Sequence, residues 1–415
     1  MRIRSIIQRL RETKVLENYS FMTALNVLGA LISFFMYPYV VHVTGREAFG
    51  VYPYALAWVA YFQLLIDFGL EAPAAKAIVE HADDKEQKEH ILSSVFTAKL
   101  LLFIGSTLLF SVLLCTVSDM RDNSRIFIFA YLQTLVSLLY PYWYFQGMRN
   151  MRVVTYINLA CRLAAVPMIL LFVKALGHVW IYAAIVSLTS IAGALAAWLY
   201  ITIHDRLRIR LISFKALRSW FSDGAPFMMT QIAGLLKEGL MTILIRHFFG
   251  YADVTLFDIA KKIVSIPRMF TQSINNALFP EVISNAAPQR VRKVLLYERL
   301  IGLGITMAIV ALAYPVILWM FGTDSMGAYP LSAIYSLTIY TWLVAGAYLQ
   351  FVFIPHHRYY HVTINQVVAL ISCLLFSAIG LLVWKNIIVI ASALTLSGFV
   401  EILYCRIICK KEQLL

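Results

Sequence analysis

The chain alternates long apolar stretches with short polar turns. Stretches of about 20 residues or more fall at 20–43, 48–70, 92–117, 124–146, 153–173, 178–202, 224–247, 254–282, 294–321, 328–354, 360–383 and 387–405. A helix needs about 20 apolar residues to cross about 30 Å of hydrocarbon, so the pattern predicts about 12 transmembrane helices. Those stretches use up most of the 415 residues and leave no room for a sizeable soluble domain. The expected fold is an all-α polytopic membrane protein.

Charge orders the turns. The N-terminal tail and the even-numbered loops hold Arg2, Arg4, Arg9, Arg11, Lys14, Lys76, Lys85, Lys88, Arg149, Arg152, Arg206, Arg208, Arg210, Lys215, Arg218, Arg290, Arg292, Lys293 and Arg358; the C-terminal tail adds Arg406, Lys410 and Lys411. The odd-numbered loops and their borders hold Arg46, Arg121, Arg125, Lys174, Arg246 and Lys385. Cationic loops stay cytoplasmic, so both termini are expected inside. The composition, 61% hydrophobic and 14% charged, is that of a membrane protein. The formal charge of +13 is explained by orientation and by attraction to anionic lipid. No RNA- or DNA-binding motif accompanies it, and nucleic acid is not an expected partner.

Five regions are expected. Residues 1–19 carry Ile3, Ile6, Ile7 and Leu10 at helical spacing among arginines, which predicts a basic amphipathic helix on the cytoplasmic face. Spans 1–6 (20–202) and 7–12 (224–405) form two halves joined by a basic linker at 203–223, with a short cytoplasmic tail at 406–415. At an offset of 205, Gly29 meets Gly234, Gly45 meets Gly250, Tyr52 meets Phe257 and Ala55 meets Ala260, as parallel repeats would. Cys405 and Cys409 are four apart, and His356, His357 and His361 cluster in one loop. A solvated basic loop and a plain helix end account for them better than a metal site does, so no metal is assigned. No outward loop holds a cysteine pair, and no glycine-rich nucleotide-binding loop is present.

Seven bases fall within the spans: Lys99, Arg162, Lys237, Lys261, Lys262, Arg268 and Arg299. Each costs about 2.5–3.5 kcal/mol at a helix centre on insertion scales, so each must face water, a partner or substrate, or snorkel. Lys99 and Arg299 lie near enough to the basic end to snorkel. Arg162, Lys237 and Arg268 lie near mid-membrane. In span eight, Asp258, Lys261, Ser265, Arg268, Gln272 and Asn275 recur at intervals of three and four, one polar stripe along a helix, widened by Lys262. Internal ion pairing of Asp258 would absorb one lysine and leave the rest. Against the seven bases stand Asp67, Glu238, Asp258 and Glu298, leaving a positive interior suited to phosphate or pyrophosphate. Arg162, Lys237, Lys261, Lys262 and Arg268 are the candidate anion site. Asn26, Asn158, Gln231, Gln272, Asn275, Tyr335 and Trp342 are candidates for a polar cavity suited to sugar, although such groups more often join helices. Asp67, Glu238 and Asp258 are candidates for coupling to a proton or sodium gradient. The short outward loops offer little to catalysis, so no enzymatic activity and no cofactor are expected.

Several stretches resemble the O-antigen and polysaccharide flippases of the multidrug/oligosaccharidyl-lipid/polysaccharide exporter superfamily. They are Pro38–Val41, Val43–Tyr52, Asp67–Leu70, Asp258–Ile263, Ala277–Pro280 and, most specifically, Pro141-Tyr142-Trp143-Tyr144-Phe145-Gln146-Gly147-Met148, similar to a P-x-W-x-F-Q-G pattern. The resemblance covers about residues 20–290. Ala48 departs from it where relatives often carry Gly. It implies a V-shaped alternating-access carrier of two pseudo-symmetric six-helix halves in the bacterial inner membrane. Such a carrier flips an undecaprenyl-pyrophosphate-linked oligosaccharide of O-antigen, capsule or exopolysaccharide, with a polysaccharide polymerase and a chain-length regulator as further partners. Another lipid-linked or small-molecule substrate within the superfamily is the alternative, and a membrane-embedded glycan polymerase a more distant one.

Overall fold

The computed structural model describes residues 25, 27–284 and 288–414, without the side chains of 214, 215, 230, 233, 273–288 and 290. The amphipathic helix expected at 1–19 lies outside the described residues. Helix α1 (Val27–Thr44) turns at Gly45 into α2 (Arg46–Asp67). Gly45 has φ +75°, a left-handed conformation cheap only for glycine. A second left-handed glycine, Gly250 (φ +113°), joins α11 (Phe214–Phe248) to α12 (Tyr251–Ser284).

Several expected boundaries change, among them that of the linker expected at 203–223, whose residues from Phe214 on belong to α11. The stretch read as a loop after Leu70 is helical: α3 (Glu71–Glu80) lies on α8 (Tyr142–Gly147), where Gly147 lets Ile78 approach. The third span begins earlier than its apolar part, because α4 (Lys85–Thr116) is capped by Asp84, whose side chain accepts from Gln87 N–H at 3.1 Å. The fourth span is broken. After α5 (Ser118–Asp122) it runs as α6 (Ser124–Leu132), α7 (Thr134–Leu139) and α8. The second break is Pro141, which lacks an N–H and holds Tyr140 extended (φ −94°, ψ 102°).

The remaining helices are α9 (Met151–Phe172), α10 (Val179–Ile203), α13 (Pro288–Phe321), α14 (Ala328–Tyr348, ending in a π-turn at Leu349–Phe353), α15 (Tyr359–Val383) and α16 (Ile387–Lys411). Among the described residues, ten segments are long and apolar enough to cross a membrane; α11, bent by 59° between Met229 and Gly234, makes an eleventh. Helix α12 is 34 residues long but is not among them, and it carries Asp258, Lys261, Lys262 and Arg268. The molecule is a multi-pass helical membrane protein.

Helix α10 packs on α6, α7 and α9, while α14 packs on α13 and α16, and α15 on α16. Helix α2 links these groups, lying against both α11 and α12. At the Gly45/Gly250 end the approach is tight: a Cβ at Gly50 would collide with the Tyr251 carbonyl. There Thr255 Oγ1 donates to Arg46 O (2.7 Å), Ala252 N–H to Glu47 (3.0 Å) and Arg246 Nη2 to Asp119 (2.8 Å).

Candidate functional site

Inward of this closed end lies a cavity of about 720 Å³. Its walls come from α1, α2, α9, α10, α11, α12, the junction after α7, and Tyr335 of α14. The stripe on α12 explains it. Asp258, Lys261, Ser265 and Arg268 share one face, and all four line the cavity, with Lys262 beside them. Across the cavity, Asn158, Cys161 and Arg162 of α9 line the other wall. Arg162 lies over α1 at Gly29, where a Cβ would sit 3.0 Å from its guanidinium nitrogen. Tyr37, Phe49, Tyr52 and Tyr182 pack edge-on and tilted at the closed end, with neighbouring centroids 5.0–6.2 Å apart.

Four bases (Arg162, Lys261, Lys262, Arg268) and two acids (Glu238, Asp258) line the cavity, a formal excess of two positive charges. Their contacts are loose. Lys261 is 3.9 Å from Asp258, and Arg268 is 3.4 Å from Glu238 with its guanidinium 4.9 Å over the Trp342 ring. Asp258 instead accepts a 2.5 Å bond from Tyr37 Oη. Lys262 sits 5.7 Å over the Tyr37 ring, and neither it nor Arg162 has an ion pair among the described residues. Strong charge-assisted bonds are about 2.7–2.9 Å. By that measure these cations keep donors for a ligand.

Elsewhere the pairs are short, and several expected site residues belong to them. Lys237 does not line the cavity: it is 2.7 Å from Glu401 of α16, whose other oxygen accepts from Asn365 at 3.3 Å. Asp67, expected among the ion-coupling candidates, does not line the cavity either. It holds Lys99 at 2.8 Å, together with Glu71 (3.1 Å) and Ser137 O (2.9 Å). Lys99 is 1% exposed, so it is buried and paired and does not snorkel. Arg299 donates to Tyr348 Oη at 3.2 Å. Trp342 lies under Arg268 without lining the cavity, and Gln231 and Gln272 are exposed outside it. Asn26 and the side chain of Asn275 lie outside the described residues. His361, expected in a solvated loop, is buried between Tyr404 Oη (2.7 Å) and Glu412 (3.0 Å).

The acid count from sequence overlooked Glu401, which lies inside the last apolar stretch and could have been counted there. Thr189, Ser190 and Tyr140 also line the cavity; they carry no charge and gave no pattern that separates them from ordinary helix residues.

Apolar helices long enough to cross a membrane, gathered around a shared polar cavity, define a polytopic helical membrane fold. The chain belongs to the polysaccharide biosynthesis protein family, whose model matches residues 15–286. A relative from Escherichia coli, named "Putative O-antigen transporter", is 25% identical over 285 residues, 68% of each chain. Among solved structures, the Lipid II flippase MurJ in an inward closed conformation superposes with a TM-score of 0.68 at 13% identity, over 94% of this chain and 87% of that one. An inward-facing multidrug resistance MATE family transporter gives 0.70 at 14% identity, over 93% and 98%. Both show the fold.

Proposed function

We propose that the protein is a transporter, not an enzyme, and that it flips an undecaprenyl-pyrophosphate-linked oligosaccharide across the bacterial inner membrane. The observation that carries this reading is the meeting of Arg162 from α9 with Lys261, Lys262 and Arg268 from α12 around one cavity, with only two acids among them. Cations gathered around one cavity that keep free donors attract and hold a diphosphate. The name of the Escherichia coli relative supports the O-antigen class of cargo, and the flippase named among the fold neighbours supports lipid-linked cargo. A carrier for cationic drugs would want the opposite charge balance.

In this reading α12 is also a span, the eighth in chain order, which brings the total to twelve, its polarity tolerated because the stripe faces water. The basic turns are cytoplasmic, which places the Gly45/Gly250 end at the periplasm. Closure there makes the structure inward-facing, and the pyrophosphate enters from the cytoplasmic side. Asn158, Thr189 and Ser190 offer uncharged donors and acceptors to sugar. Glu238 and Asp258 remain the groups for ion coupling, since each is only loosely held by its base.

The test is flipping of a fluorescent lipid-linked oligosaccharide in reconstituted vesicles. Loss of one charged hydrogen bond is worth about 1.5–3 kcal/mol, so Arg162→Ala and Lys262→Ala should each slow flipping about 10- to 100-fold. Wild-type rates in both variants, with normal insertion, would remove the anion site.

A further inference from the structure

A second set of cations lies outside the cavity lining, on the segment joining α10 to α11. After Ile203 the chain turns at Arg206, in a left-handed conformation (φ +53°), and runs without helix to Ser213. Its alternate backbone N–H groups dock on α4: Arg208 N–H donates to Glu89 (3.0 Å), Arg210 N–H to Ser93 Oγ (3.0 Å) and Ile212 N–H to Thr97 Oγ1 (3.2 Å). The register is physical. Every second residue of an extended chain advances about 6.6 Å, and every fourth residue of a helix about 6.0 Å, so the two ladders stay matched over three rungs. Leu207 is buried beneath, and Arg206, Arg208 and Arg210 stay exposed.

These guanidiniums are uncommitted. None has an ion pair among the described residues. The neighbouring acids are otherwise occupied: Glu89 by the backbone of the strap, Asp205 by Tyr144 Oη (2.8 Å) and His204 (2.8 Å). The surroundings point to lipid. Leu188, Leu195, Leu199 and Ile203 form an exposed apolar stripe down α10 that ends three residues before Arg206, and Leu211 on the strap is 71% exposed. Helix α4, at 32 residues, is about 48 Å long and overruns a hydrocarbon core of about 30 Å, and the strap lies along its first turns. Aliphatic side chains among bare arginines fit a headgroup layer better than an acidic protein or nucleic acid.

We infer that Arg206, Arg208 and Arg210 form a docking strip for anionic phospholipid headgroups, held in register by Glu89, Ser93 and Thr97. The strip is independent of the cargo site. Retention of dioleoyl phosphatidylglycerol against dioleoyl phosphatidylcholine by the purified full-length protein, read by native mass spectrometry, tests it. An arginine near an anionic surface contributes about fivefold, so the triple variant R206Q/R208Q/R210Q should lose about 100-fold in preference for the anionic lipid. The strap is tied through its backbone, so this variant should keep its fold, checked by unchanged thermal unfolding. Ser93→Ala with Thr97→Val keeps the arginines but frees the strap, and should lose several-fold. Preference within twofold of wild type in the triple variant overturns the inference. So does suppression of lipid retention by millimolar inorganic phosphate, which would mark a phosphate site instead.

Discussion

At the scale of single residues, intramembrane charges divide by the length of their contacts. Lys99 meets three acceptors within 3.1 Å and is almost wholly buried. Removing it leaves Asp67 and Glu71 facing each other, so Lys99→Ala should destabilise the protein by about 3–5 kcal/mol, measured by unfolding in detergent. Arg162 has no such partner among the described residues, so Arg162→Ala should leave unfolding unchanged while slowing transport. Lys237→Ala should behave as Lys99→Ala does. The sequence could count these bases but could not separate them. Lys237 and Arg268 look alike along the chain, and their fates depend on Glu401, 164 residues from Lys237, and on Glu238, 30 residues from Arg268. Hydrophobic periodicity carries no information on such distant pairs.

Among elements, the legible part was the part that repeats. The stripe on α12 was visible because intervals of three and four survive in a list of letters, and Asp258, Lys261, Ser265 and Arg268 do line the cavity. The break between α7 and α8 rests on Pro141, yet hydropathy alone reads 124–146 as continuous. Contact between helices is set by small residues whose role appears only in three dimensions. Gly50 is such a residue: α2 and α12 close because nothing projects between it and Tyr251. Gly50→Ala should therefore hold the Gly45/Gly250 end open. Spin labels at Ser118 and Phe248 in a cysteine-free background should move apart relative to wild type, and an unchanged distance would mean that this contact does not set closure. A smaller clasp ends α16. Hydrogen bonding from His361 and then the charge of Arg358 hold the Glu412 carboxyl below its ordinary range. A depressed carboxylate pKa stabilises above the ordinary value, and the benefit fades as the pH falls through the depressed one. Glu412→Gln should remove that acid sensitivity, read as the pH dependence of proteolysis after Lys410.

For the whole molecule, a carrier and a channel differ in whether one cavity is ever reachable from both faces. Cys161 reports on this, because it lines the cavity one residue from Arg162, whereas Cys373, Cys405 and Cys409 are buried. Cys115 is exposed near the closed end and must be replaced by serine first. In the structure described, α2 and α12 seal one end, which the proposed orientation puts at the periplasm, so a membrane-impermeant maleimide should label Cys161 in inverted vesicles and spare it in spheroplasts. Gly50→Ala should shift labelling toward spheroplasts, since opening one end of an alternating carrier is coupled to closing the other. Pyrophosphate added to inverted vesicles should slow the reaction by occupying the cations beside the thiol, and Arg162→Ala should abolish that protection without abolishing labelling. Equal labelling from both faces in wild-type protein would describe a continuous pore, and the seal between Gly50 and Tyr251 would then have no part in transport.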